Sequence, residues 1–245
     1  MTDHVDTSLT HEVAVALERE PRVSLTHRPL HIGLDHGDLV LEGEVEDVAA
    51  KKLALERAGS IPGVTRILDR LHVATEKPVP DQAILQHIVD ALHAEPWLKR
   101  LRLIPRPLEP GEKPTLALDE RGYISVHVKN GVVTLDGEVP SLDQKRLAGH
   151  HAWWIEGVRD VVNGLGVEPP EPDSEAAITR AVNLAIARDP WLHSRDDIHV
   201  RTFGTEVHLT GSVATPADAR QAERDAWCTF GVDRVVNRLA LRPPH

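Results

Sequence analysis

The sequence predicts an α+β fold of three tandem αββαβ units, each a three-stranded sheet with two helices on one face. Three observations carry that prediction. Gly43, Gly137 and Gly211 each close an apolar alternation, LVLEG, VVTLDG and VHLTG. Gly63, Gly157 and Gly231 follow 20 residues later in every copy, each before a valine. Apolar residues then recur at fixed offsets: Ile67-Leu68, Val161-Val162 and Val235-Val236, followed by Leu71, Leu165 and Leu239. Self-similarity of this kind marks a repeated structural unit. The units run over residues 8–75, 81–168 and 173–242, the first being the most divergent.

Each unit opens on a helix. Ile178, Val182 and Ile186 recur every four residues, as do Ile84, Ile88 and Leu92; Val13, Ala16 and Leu17 give a weaker stripe in the first unit. The helices should stop at Glu20-Pro21, Glu95-Pro96 and Asp189-Pro190, because proline disfavours helical geometry in the residue before it. Two strands follow, the first being LHIGL (30–34), YISVHV (123–128) or IHVR (198–201). The second is the alternation that ends on the first glycine of the pair. Gly37 and Asn130-Gly131 supply the positive φ of a tight hairpin. Gly204 stands one place earlier, which predicts a turn one residue longer. A second helix then carries alanines four apart, Ala54/Ala58, Ala148/Ala152 and Ala222/Ala226, and a last strand closes the unit.

The connections are Pro-rich. EKPVP (76–80) and EPPEP (168–172) read as stiff, extended linkers that space the units apart. Residues 104–120 are an insertion in the second unit, read as a loop of variable length.

Composition excludes several functions. The 28 Lys+Arg against 38 Asp+Glu give a net charge of −10, which argues against nucleic acid and disfavours docking on anionic lipid. One cysteine, Cys228, cannot form an internal disulfide and reads as a small packed residue. No run is long and apolar enough for a membrane span, and the first ten residues resemble no signal peptide. The expectation is a cytoplasmic chain that is not transmembrane.

No reactive constellation emerges. HExxH, GxSxG and GxGxxG are all missing from the sequence. His27, His31 and His36, and the His150-His151 pair, do not recur between repeats and read as ordinary surface histidines. The carboxylate pairs Glu18/Glu20 and Asp196-Asp197 have no repeated context either. The expectation is therefore no catalytic residue, no metal site and no cofactor. Trp97 and Trp191 occupy equivalent positions, as do Trp153 and Trp227, and recurrence predicts a packing role for all four. Trp154 aligns with Ser60 and Cys228, so it is a candidate surface contact or is buried under the insertion. Trp97, Lys99, Arg100 and Arg102, with Leu101, form the candidate basic and aromatic helix face.

NGVVTLDGEV (130–139) followed by GVRDVVNGLGV (157–167) resembles the BON domain, named for bacterial osmotically inducible and nodulation proteins. VHLTGSV (207–213), AWCTFGVDRVVNRLAL (226–241) and RDPWL (188–192) resemble it nearly as well, while the first repeat has Arg22 in place of the helix-end Trp. The resemblance implies the same αββαβ fold and a non-enzymatic module tied to osmotic and envelope stress. It also implies binding to phospholipid or to other proteins. Together with the acidic surplus, this predicts a stress-related scaffold that binds other proteins or copies of itself. The alternative is a phospholipid- or envelope-associated binding protein.

Overall fold

The computed structural model describes residues 2–193, 195 and 197–242; Met1 and Asp196, both part of the readings above, lie outside the described residues. The chain divides into two compact bodies, Met1–Ala74 and Thr75–His245. The first holds one repeat and the second holds two.

In the first body, helix α1 (Thr2–Glu18) precedes the hairpin β1 (His31–Asp35) and β2 (Asp38–Val45), then α2 (Val48–Gly59) and β3 (Ile67–Val73). Strand β2 is central, antiparallel to β1 and parallel to β3. A parallel pair cannot be joined by a hairpin, so the chain crosses over through α2. Val13 and Leu17 of α1 pack with Leu39, Leu41 and Leu71 of the sheet, as their spacing predicts.

The second body repeats that plan twice. Its first unit is α3 (Asp81–Ala94), β4 (Leu101–Ile104), β5 (Gly122–Lys129), β6 (Val132–Val139), α4 (Leu142–Trp153), β7 (Asp160–Asn163) and β8 (Gly166–Val167). The other is α5 (Glu175–Arg188), β9 (Ile198–Phe203), β10 (Glu206–Val213), α6 (Pro216–Cys228) and β11 (Arg234–Leu241). Again the glycine-closed strand is central, pairing antiparallel with the strand before it and parallel with the strand after it. The fold is α+β, as expected.

Both glycine positions follow from geometry. A Cβ on Gly211 would stand 1.8 Å from the Asp197 carbonyl oxygen, and one on Gly137 would stand 2.2 Å from that of Tyr123. Gly43 shares their positive φ. Gly63, Gly157 and Gly231 take φ of 100, 89 and 89° in the turn that leads from the second helix into the last strand. The six recurring alanines are all 0% exposed, because a side chain of that size lets the helix lie against the sheet.

Several expectations are corrected. The second unit's sheet has five strands rather than three: Leu101–Ile104 adds β4 parallel to β5, and Gly164 interrupts the last strand between β7 and β8. The insertion folds over the face of that sheet turned away from the helices. Ser125 donates to the Arg106 carbonyl (2.6 Å), Lys113 reaches Glu138 (2.6 Å), and Tyr123 is buried. The third hairpin is no longer than the others, since Phe203 and Glu206 pair across a two-residue turn. Gly204 alone has positive φ there, the arrangement of a turn with glycine at its first central position.

The segment at 168–172 does not space its neighbours apart. Repeats two and three pack helix against helix, α4 lying on α5 and α6. Stiffness limits only the reach of a linker, and the acidic residues of this one bind α4: Glu171 accepts from the Leu142 amide (3.0 Å), and Asp173, just beyond, pairs with Arg146 (2.6 Å).

Candidate functional site

The seam between repeats two and three is built on α4, whose N-terminus is capped by the Ser141 hydroxyl accepting from the Gln144 amide. Its alanine face lies on the sheet, which turns Arg146, His150 and Trp154 toward repeat three. Arg146 is 1% exposed, donates from Nε to the Phe230 carbonyl (2.8 Å) and pairs through Nη2 with Asp173. Lys145 sits 4.4 Å from the centre of the Phe230 ring, and burial lowers its pKa, with Arg146 adding to the effect. His150, read above as a surface histidine, is 1% exposed because the seam covers it, and it meets the Thr229 hydroxyl (3.0 Å); Arg224 of α6, at the equivalent position, donates to the Trp153 carbonyl (3.2 Å). Equivalent positions thus reach across in both directions, as in a pairing of like surfaces.

A second feature recurs in all three repeats and escaped the sequence reading. The acidic residue before each helix-ending proline is buried: Glu20, Glu95 and Asp189. Glu95 and Asp189 each accept from the amide two residues on, at Trp97 (3.1 Å) and Trp191 (2.8 Å). Six residues before the second glycine, the second helix sets a side chain against that carboxylate. In repeat one it is Arg57, donating to Glu20 at 3.0 and 3.1 Å. In repeat two it is His151, 3.3 Å from Glu95, with Arg188 of repeat three 3.6 Å away. Burial lowers the His151 pKa against the opposing pull of Glu95. In repeat three it is Asp225, which accepts from the Trp154 indole of repeat two (3.0 Å). The acidic-Pro pairs were visible as helix ends, and their recurrence at one position was the signal that each carboxylate has a conserved place in the fold.

The tryptophans divide by pair. Trp153 and Trp227 are buried as expected, but Trp97 and Trp191 are 48% and 67% exposed. The buried member of each PWL segment is the leucine, Leu98 or Leu192. Trp191→Ala should therefore change stability by less than about 0.5 kcal/mol, whereas Trp227→Ala, 3% exposed, should cost about 3 kcal/mol or more. Chemical denaturation of the two variants checks the contrast.

Trp154 is neither a free contact nor covered by the insertion. It lies in the seam, edge-on to His151 with ring centroids 5.2 Å apart. Trp97, Lys99, Arg100 and Arg102 are exposed, but they share no helix face: a 3₁₀ turn (Pro96–Leu98) passes into β4, where Arg102 donates to the Thr115 carbonyl and Leu101 is buried. The six glycines are structural, as described above.

The sheet faces turned away from the helices are the remaining candidate surface. On repeat three, His199, Arg201 and Phe203 of β9, Glu206, His208 and Thr210 of β10, and Val236 and Arg238 of β11 share that face. Phe203 is 57% exposed, Arg201 and Arg238 are exposed, and no salt bridge engages either arginine among the described residues. On repeat one Asp35, Asp38, Glu42 and Glu44 share the corresponding face, where Arg66, Arg70 and Arg28 pair with Asp38, Glu42 and Glu44 in turn. No helix among the described residues is long and apolar enough to cross a membrane.

Residues 5–75, 116–169 and 174–243 match the family model of the BON domain. This chain belongs to the BON domain family. The middle match begins inside the insertion, which separates α3 from the rest of the second BON repeat. Osmotically-inducible protein Y of Escherichia coli (strain K12) is 32% identical over 125 residues, 49% of this chain and 62% of that protein. An uncharacterized protein of Anaplasma centrale is 28% identical over 123 residues, 49% of this chain and 82% of that protein. Among solved structures, the C-terminal domain of CdsD, a structural protein of the type III secretion system of Chlamydia trachomatis, aligns at 16% identity. That alignment has a TM-score of 0.25 and covers 96% of this chain and 98% of CdsD's.

Proposed function

We propose that this BON protein is a non-catalytic binding scaffold of the stress response that associates with copies of itself through its open sheet faces. The single observation that carries this reading is the third repeat's face, where Arg201, Arg238 and Phe203 are exposed in a chain whose net charge is −10. The occupant is the carboxylate-bearing first-repeat face of a second copy. Unlike surfaces meeting in this way give head-to-tail chains that grow with concentration rather than closed dimers. The E. coli relative's name, Osmotically-inducible protein Y, supports placing the protein in a stress response. The seam supports the BON module as a surface that accepts another BON module.

Light scattering across concentration and salt, run beside flotation with anionic vesicles, tests the reading. The expected result is a mass that rises with concentration at low salt and falls as salt screens the charges. Arg201→Glu combined with Arg238→Glu should leave a monomer. A wild-type monomer that co-floats with anionic vesicles would overturn the scaffold in favour of lipid binding.

A further inference from the structure

Where the first two repeats oppose a buried carboxylate with Arg57 or His151, the third opposes Asp189 with a second carboxyl group, Asp225. Both are 0% exposed. Asp189 is fully engaged as an acceptor, Oδ1 from the Trp191 amide (2.8 Å) and Oδ2 from the Gln221 side chain (2.7 Å). Asp225 Oδ1 accepts from the Trp154 indole (3.0 Å), but Oδ2 has no donor among the described residues. Two ionised carboxylates packed together at 0% exposure repel, and bulk water does not reach either. A proton on Asp225 Oδ2 removes one charge and turns that oxygen into a donor toward Asp189, which lies within hydrogen-bonding reach.

We propose that one proton shared by Asp189 and Asp225 is a latch on the seam between repeats two and three that weakens as pH rises. Loss of the proton places two like charges beside Trp154, and separating α6 from α4 relieves them by admitting water to Asp225. The surrounding charges leave the pair to itself. Arg224 on α6 favours the anion, but its guanidinium is bonded to the Trp153 carbonyl. Beyond α5, Arg195 is bonded to the carbonyls of Ala187, Asp189 and Leu192, and Arg188 on α5 pairs with Glu95. From α4, His150 faces Thr229 and His151 faces Glu95.

Burial first, and Asp189 second, push the Asp225 carboxyl up to about 8 from its ordinary 3.8. Between those values the closed seam holds a proton that an open one releases. The closed state is therefore most favoured below 3.8 and loses stability steadily as pH rises to about 8, above which both states are ionised and the dependence ends.

Hydrogen exchange of the full chain, corrected for intrinsic rates, tests the latch at residues 146–154 and 224–231. Wild-type protection there should fall about tenfold between pH 6 and pH 7, one proton's linkage per unit, and level off above about 8. Asp225→Asn keeps the shape, accepts from Trp154 and donates to Asp189, so its protection should stay flat over that range. If Asp225→Asn does not fold, Asp189→Asn removes the opposing charge while Asp225 stays buried, and its profile should be shallower than the wild type's. Carboxyl resonances of the wild-type chain provide a separate readout, with Asp225 expected to titrate well above the usual carboxylate range. Parallel pH profiles for wild type and variant, or an Asp225 titration near the ordinary value, would overturn the proposal.

Discussion

Replacing Arg146 with alanine should separate repeats two and three while each keeps its own fold. Arg146 is the largest fully buried side chain among the described residues, and the polar groups it binds lie outside its own repeat: the Phe230 carbonyl and Asp173. Truncation removes the charge-assisted bonds, leaves the Phe230 carbonyl without this donor and opens a cavity where the guanidinium lay. The expected loss is about 3 kcal/mol of seam stability. Two resolved denaturation transitions in place of one, together with faster proteolysis in residues 168–172, would show the separation. A single transition at the wild-type midpoint would sink it. Arg146→Met keeps most of the volume and leaves Asp173, whose side chain is 40% exposed, to solvent, so its cost should be smaller. The difference between the two variants measures the cavity.

The second large effect is local. Gly211→Ala should unfold repeat three or cost it about 3 kcal/mol or more, because the new Cβ would stand 1.8 Å from the Asp197 carbonyl at a φ of 110°. Backbone must move, since a carbonyl oxygen cannot rotate aside as a flexible side chain can. Gly204→Ala is the control. It also has positive φ, +61°, but nothing lies within 4 Å of its Cβ, so only the left-handed conformation is penalised, by about 1 kcal/mol. Circular dichroism melts of the two variants compare them directly. Equal midpoints would mean that the approach of strand β9 to Gly211 plays no part in stability.

Most of the fold was legible because its rules act within one repeat. Ala148 and Ala152 had to be small because a helix lies against a sheet, and that requirement repeats wherever the αββαβ unit does. Trp97 and Trp191 show the limit of such reasoning. They recur, yet they are exposed, because the feature held constant is the turn that buries Leu98 and Leu192, and the tryptophan beside it points outward. Gly204 shows another limit: shifting one glycine changed the type of turn rather than its length, and only the strand register distinguishes the two.

The candidate site was less legible because it depends on what one repeat places against another. His150 and Trp154 have no counterparts of the same type in the other repeats, and Arg146 aligns with Arg220 and Lys52, so the sequence alone marks them only as aromatic, polar or basic positions on a helix. Asp225 is likewise one acidic residue among many until Asp189 and Trp154 surround it.

The amino-acid sequence by itself determined the number of units, their order of elements, the crossover helices and the positions where only glycine or alanine fits. Those are constraints of local geometry and of burial within some seventy residues, and periodicity displays them. The tertiary structure decided that two of the three repeats form one body, that an apparent spacer fastens them together, and that two acids share a buried space. Nothing along the chain encodes such pairings as a pattern, because they arise between surfaces whose residues lie 27 to 84 positions apart. Burial turns that proximity into energy by removing the water that would otherwise screen a charge or complete a hydrogen bond.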